Sequence, residues 1–203
     1  MAEKPILFNT EMVKAILEDR KTQTRRLVKP KHRSAAGFNV CFSKATGEIT
    51  GVYDFDEDER MYDDPTQAPF QPGDVLWVRE AWTEMPYGFA YRADGEEPDG
   101  WDGNDRWYPS IHMPKEAARL FLRVTGVRCE RLQEITSGEA VAEGIQSNLR
   151  SPSEAADALI AFEALWNSTV RQDAMKRWGW NANPWVWVIE FERIDKPKGW
   201  CES

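Results

Sequence analysis

The sequence predicts an α+β domain built round a small, mostly antiparallel sheet or barrel. Three observations carry this. A single amphipathic helix opens the chain, two capped helix starts fall in its second half, and an apolar strand over Trp185–Ile194 closes it. The resulting order of helix, strands, helices and final strand fits helices packed against one sheet.

Each element has a local cause. Thr10 can cap a helix running to about Arg20–Thr22, with Glu11 at its positive end and Met12, Val13, Ile16 and Leu17 as its apolar stripe. Phe38–Ser43 and Glu48–Tyr53 read as a hairpin around Lys44–Gly47, followed by an acidic, mobile loop. Pro72-Gly73-Asp74 is a turn into the strand Val75–Val78. Residues 83–109 form a long insertion around a short strand near Tyr91. Leu120–Leu132 supplies one long or two short strands, broken at Gly126. Thr136–Glu139 is a capping box for a short helix that stops at Gly144. Ser151–Glu154 is a second one, with Pro152 at the first helical position; Ala155, Ala158, Leu159, Phe162, Leu165 and Trp166 then share a face. Asn183-Pro184 breaks the chain before the closing strand, and the tail after Asp195 frays.

Composition bounds the function. With 203 residues the chain suits one domain with insertions. Hydrophobic residues are 41% and charged residues 30%, a globular balance. No apolar run is long enough for a membrane span, and MAEKPILFNTEM has no secretory core. Cys41, Cys129 and Cys201 are an odd, scattered set, so a reduced, cytoplasmic protein is expected. His32 and His112 have no cysteine at zinc spacing, and no metal or other cofactor is expected. Phosphate-cradling glycine loops and the G-x-S-x-G elbow are absent from the sequence. The ten tryptophans suit core packing; base stacking is the alternative.

The net charge is -8, yet residues 20–33 hold seven Lys/Arg and no acid, while residues 54–64 hold seven acids. An acidic protein with one cationic segment does not present a broad duplex-binding face. Such a segment can grip one or a few phosphates or a short single strand. It can equally be a solvated run paired with the acidic insertion.

Three segments resemble one family: ILEDRKTQTRR (16–26), PGDVLWV (72–78) and ITSGEAVAEG (135–144), followed by the closing strand. Together they resemble the ASCH domain, of the PUA-like superfamily, and most of all its longer members often carried by phages and prophages. The resemblance implies a PUA-like β-barrel with flanking helices. It implies a single domain over 1–195, insertions at about 34–70 and 83–112 that it does not cover, and a tail at 196–203. The glycine usual before the basic pair is replaced by Asp19.

The smallest ASCH enzymes are N4-acetylcytidine amidohydrolases, and the resemblance to them carries three catalytic positions. Their lysine falls on Lys21, their nucleophilic threonine on Thr24 and their glutamate on Glu143. The implied activity is metal-independent amide hydrolysis on a modified nucleoside or nucleotide. Arg25 and Arg26 are candidates for holding substrate, oxyanion or phosphate. The alternative is a module that binds RNA or single-stranded DNA, with or without ribonuclease activity.

The chemistry is workable on its own terms. A threonine hydroxyl needs a base, and Lys21 serves only if its pKa falls well below about 10.4. Burial and nearby arginines lower it; an ionised Glu143 raises it. Each residue also has a plain role: Lys21 against a helix C-terminus, Thr24 in a turn, Glu143 on a solvated helix face. Tyr53, Trp77, Glu80 and Trp82 are weaker candidates for lining a base pocket, and Trp77 suits the core better.

Overall fold

A computed structural model describes residues 2–95, 97, 100–101 and 106–200. The elements are β1 (Glu3–Leu7), α1 (Thr10–Leu17), β2 (Gln23–Leu27), β3 (Gly37–Phe42), β4 (Ile49–Phe55), β5 (Val75–Arg79), β6 (Trp82–Met85), β7 (Gly88–Tyr91), β8 (Phe121–Arg131), α2 (Ser137–Ala142), α3 (Pro152–Thr169), α4 (Met175–Trp178) and β9 (Trp185–Ile194). Five strands form the main sheet in the order β1-β5-β8-β9-β2. Only the β1–β5 pair is parallel; β3–β4 and β6–β7 are separate hairpins.

The α+β class matches the sequence reading, but the sheet is not a closed barrel among the described residues. Strands β1 and β2 are its edges. They still approach one another, because Arg26 on β2 donates from its guanidinium to the Leu7 carbonyl at the end of β1 (3.2 Å). A side chain thus spans the seam that a strand ladder would otherwise close.

The core divides by strand parity. Leu76, Val78, Ile189 and Phe191 face α1 and pack with its Val13 and Ile16. Val186 and Val188 face the other way, onto Ala158, Phe162 and Trp166 of α3. Near the opposite end Val75, Trp77 and Phe121 meet Trp82, Met113 and Trp200.

Several expectations are corrected in detail. Asn9, not Thr10, caps α1, accepting from the Met12 N–H (2.9 Å). The helix ends at Leu17, earlier than expected, because Asp19 takes a left-handed φ of 55° and the Arg20 and Lys21 amides turn back onto the Ala15 carbonyl. Asp tolerates this conformation better than most side chains. Strand β8 is continuous: Gly126 sits at a bulge where a Cβ would lie 2.7 Å from Glu190 Oε2. The Thr136 capping box forms as expected. The Ser151 one is half-formed, for Glu154 accepts from the Arg150 amide instead.

Neither the acidic loop nor the tail is loose throughout. Asp54 is wholly buried and accepts from the Lys31 and His32 amides, the His32 ring and the Thr66 hydroxyl. His32 stacks on Tyr62 and also meets Asp64. The 34–70 stretch, expected to be an insertion, is therefore clasped to the end of the basic segment. In and just before the 83–112 stretch, β6 and β7 form a hairpin where the sequence predicts one strand; part of that stretch lies outside the described residues. At the C-terminus, Trp200 is buried against Trp77 and Phe121 and donates to the Lys115 carbonyl (3.3 Å). Residues 201–203 lie outside the described residues.

Two predictions follow from these anchors. Trp200→Ala should cost about 3 kcal/mol in urea unfolding, as truncation of a buried aromatic does; a change under about 0.5 kcal/mol would mean a frayed tail. For Asp54, burial raises the carboxyl pKa, but the hydrogen bonds outweigh it and hold the group below its ordinary 3.8. A depressed folded pKa gives stability that is present above the unfolded value and is lost as pH falls through the folded one. Protection of the Lys31 and His32 amides from hydrogen exchange should accordingly survive at pH 5 and collapse only below the ordinary carboxylate range.

Candidate functional site

Strand β2 looks like a poor strand in sequence: all but one of its residues are polar. Its alternation explains it. Gln23 and Arg25 point to the α3 side, while Thr24 and Arg26 point to the α1 side, opposite Ile189 and Trp187 of β9. Gln23, Thr24 and Arg25 are all buried. Polar groups at such positions persist only if each finds partners.

Lys21 stands just before the strand and is 2% exposed. Its ammonium makes three hydrogen bonds: to Glu143 Oε2 (2.8 Å), to the Glu143 carbonyl (2.8 Å) and to the Gln23 carbonyl (2.9 Å). An ammonium has three N–H donors, so its capacity is filled. The Phe8 ring lies 5.4 Å from Nζ.

Glu143 reaches Lys21 because of what surrounds it. It is the C-cap of α2, so its carbonyl is one of the unsatisfied helix-end acceptors. Gly144 follows with φ of +103°, and a Cβ there would sit 3.0 Å from Ala15 and 3.5 Å from Lys21 Cβ. Only glycine combines that left-handed turn with so close an approach. Arg20 also donates to the Gly144 carbonyl (2.7 Å). The Thr22 amide donates to the Ala142 carbonyl, fixing the two segments together.

Arg25 extends the cluster. NH1 donates to Glu143 Oε1 (3.1 Å) and NH2 to Glu130 (2.6 Å), with Glu139 at 3.4 Å. Arg128 binds Glu130, Glu139 and Glu190 in turn. Glu139 thus serves both the Thr136 cap and this network, a partner that the sequence offered only as a cap.

Thr24 is 1% exposed, and its hydroxyl oxygen accepts from Arg26 NH1 (2.6 Å). Among the described contacts no hydrogen bond joins Lys21 to Thr24. Arg26 also donates to the Arg25 and Leu7 carbonyls and lies over Phe8 (5.4 Å). Burial lowers the pKa of the Lys21 ammonium; Glu143 opposes this, Arg26 and Arg25 reinforce it, and the net position is below the ordinary lysine range. Burial likewise lowers Arg26, with Glu143 opposing.

A cleft of about 770 Å³ opens at the seam. It is lined by Leu7 and Phe8 at the end of β1, by Arg25, Arg26, Leu27 and Lys29 in and after β2, and by Trp166, Arg171 and Trp178 among others. A smaller cleft of about 380 Å³ includes Glu143 and Gly144 and shares Asn9 and Met12 with the first. Lys21 and Thr24 line neither. The structure therefore brings Lys21, Glu143 and Arg25 into direct contact and places Arg26 between Thr24 and the open cleft.

The weaker candidates lie elsewhere. Trp77 and Trp82 are core, Glu80 is held by Arg119 through two hydrogen bonds, and Tyr53 belongs to the β3–β4 hairpin. None lines the seam cleft. Phe8, Lys29, Trp166, Arg171 and Trp178 do, and sequence reasoning missed them as site residues. Of these only Lys29, inside the basic run, carried a signal. Among the described residues no group of three or more His, Cys, Asp or Glu side chains is placed to hold a metal ion. No helix of the described residues is long and apolar enough to cross a membrane.

No protein-family model and no curated protein matches the chain. Among solved structures, the chain is similar to the ASCH domain from Lactobacillus crispatus JV V101, with a TM-score of 0.42 and 11% identity over 96% of this chain and 81% of that one. It is also similar to the hypothetical protein PH0355, with a TM-score of 0.35 and 14% identity over 95% of this chain and 99% of that one. The first bears the family name that the sequence motifs resemble. Likeness at this level says nothing of chemistry, and the site stands on the distances given above.

The ion cluster predicts an asymmetry. Glu143→Ala leaves Lys21 without its only carboxylate partner and takes one from Arg25, and should cost about 3–5 kcal/mol in denaturant unfolding. Lys21→Met leaves Glu143 still paired with Arg25 and should cost clearly less. Equal losses would mean that Glu143 does not bridge the two cations.

Proposed function

We propose that the chain is a metal-independent hydrolase that removes the acyl group from an N4-acylated cytidine or a closely related modified nucleoside. The observation that carries this reading is the convergence of Lys21, Glu143 and Arg25 in one buried cluster, with Arg26 bonded to the Thr24 hydroxyl and, with Arg25, lining a cleft that Trp166 and Trp178 also line.

In this reading the Thr24 hydroxyl attacks the acyl carbon. Its proton passes to the Lys21 amine, which is available because burial holds the ammonium below the ordinary lysine range. Loss of one proton frees a lone pair on Nζ while two N–H donors remain for the surrounding acceptors. Arg26 stabilises the tetrahedral oxyanion. Collapse breaks the C–N bond; the leaving amine takes a proton from Lys21, and the acyl group remains as an ester on Thr24. Water, deprotonated by Lys21, then cleaves that ester, and Lys21 returns the proton to the departing Thr24 oxygen. The balance is acylcytidine plus water giving cytidine plus carboxylate and a proton.

The resting arrangement sets two conditions. Arg26 must leave Thr24 Oγ1, which it now covers at 2.6 Å. Lys21 and Thr24 must also come within proton-transfer reach, since Lys21 now bonds only to Glu143 and Gln23. Apo sites commonly tighten only around substrate.

The second reading, binding of RNA or single-stranded DNA without catalysis, is favoured by one specific observation: all three Lys21 donors are already engaged, as in a structural amine. The two part cleanly. Purified protein should deacetylate N4-acetylcytidine with metal chelator present, with kcat/KM rising with pH through an ionisation below about 10.4. Thr24→Ala should lower kcat at least about 100-fold. No turnover across acylated pyrimidines, or turnover unchanged in Thr24→Ala, leaves the binding reading. That reading in turn requires salt-sensitive affinity that weakens in Arg26→Ala.

A further inference from the structure

Most cations near the seam are neutralised where they stand. Arg25 is held by Glu130, Glu139 and Glu143, and Lys21 by Glu143. Arg20 pairs with Glu18, and Arg171 with Asp173. Two are not. Arg26 donates only to uncharged oxygens: Thr24 Oγ1 and the Arg25 and Leu7 carbonyls. Lys29 has no hydrogen bond or ion pair among the described residues. Both line the same cleft.

An arginine partly withdrawn from water with no carboxylate in hydrogen-bond contact is a costly arrangement, and the cost falls when an anion arrives. The guanidinium fork matches a phosphate oxygen pair better than a single hydroxyl. Lys29, on an exposed position three residues along, adds a mobile point charge at the mouth. Trp166 and Trp178 also line this cleft; Trp166 is largely buried and donates to the Trp178 carbonyl, and Arg177 lies over the Trp178 ring.

We infer that the seam cleft takes a phosphorylated nucleoside rather than a bare one, with the phosphate engaging Arg26 and Lys29. This rests on the reading of the cleft as a nucleoside site. It adds a consequence: a phosphate that draws Arg26 NH1 away from Thr24 also uncovers the hydroxyl. The phosphate would then be both a handle for binding and the trigger that exposes the nucleophile.

Calorimetric titration of the full chain separates this inference from the hydrolase reading, since product-type ligands need no turnover. The ligands are cytidine, cytidine 5′-monophosphate and a short 5′-phosphorylated oligocytidylate. At low salt the monophosphate should bind about tenfold or more tightly than cytidine, as charge-assisted contacts to phosphate allow. The gap should shrink in Arg26→Ala and, independently, in Lys29→Ala, an exposed position whose loss leaves folding intact. It should persist in Arg123→Ala, an exposed cation lining a different cleft. Tighter binding of the oligomer than of the monophosphate would support the inference and assign the phosphate to a strand. Equal affinity for cytidine and its monophosphate, a gap unmoved by both Arg26→Ala and Lys29→Ala, or no binding of any of the three would overturn it. Turnover of acylcytidine without such a gap would keep the hydrolase and discard the phosphate.

Discussion

The arrangement around the seam depends on one buried ion cluster. Glu143 lies between Lys21 and Arg25, with one carboxylate oxygen on each. Without it, Lys21 would be left without a carboxylate in a space almost closed to water, and Arg25 would keep only Glu130 and Glu139. Burying such charges is costly, and only complete pairing with added hydrogen bonds offsets it. The pairing is complete for Lys21, which finds three acceptors, and nearly so for Arg25, which draws on three carboxylates. A polar segment can thereby serve as an inner-facing edge strand.

The cluster also determines where an open cleft can exist. It fixes the backbone of 21–26, so the alternation of β2 sends Arg25 into the network and Arg26 to the opposite side, toward β1. Because β1 and β2 share no ladder, a gap remains between them, and side chains rather than backbone bridge it. An incomplete barrel provides what a complete one would remove: a cleft with backbone carbonyls, a cation and an aromatic ring at its rim.

Much of this was legible in the chain. The Thr136 capping box, the helix stop at Glu143-Gly144 and the closing strand are local signals, and each forms where its chemistry puts it. The β3–β4 hairpin was legible too, since alternation and a Gly turn suffice for it. Strands β1 and β2 were not, because a short edge segment such as EKPIL or QTRRL has no periodic apolar face. The Asp54 clasp and the Trp200 anchor were hidden for a related reason: an acidic run and a terminal tail look solvated until a distant partner is known.

The sequence by itself determined the inventory and its local geometry: which residues can cap, which glycines must turn, and which set of amine, hydroxyl and carboxylate groups is present. Tertiary structure alone decided who meets whom. Residues more than a hundred positions apart, Lys21 and Glu143, become neighbours through the packing of α2 against α3 and the start of β2. Whether Arg26 pairs with an acid or stays available to a ligand depends on which face of β2 it occupies and on what lies across the seam. Periodicity carries the facing of a segment, but charge neutralisation is a property of three-dimensional neighbourhoods, and no local pattern encodes it.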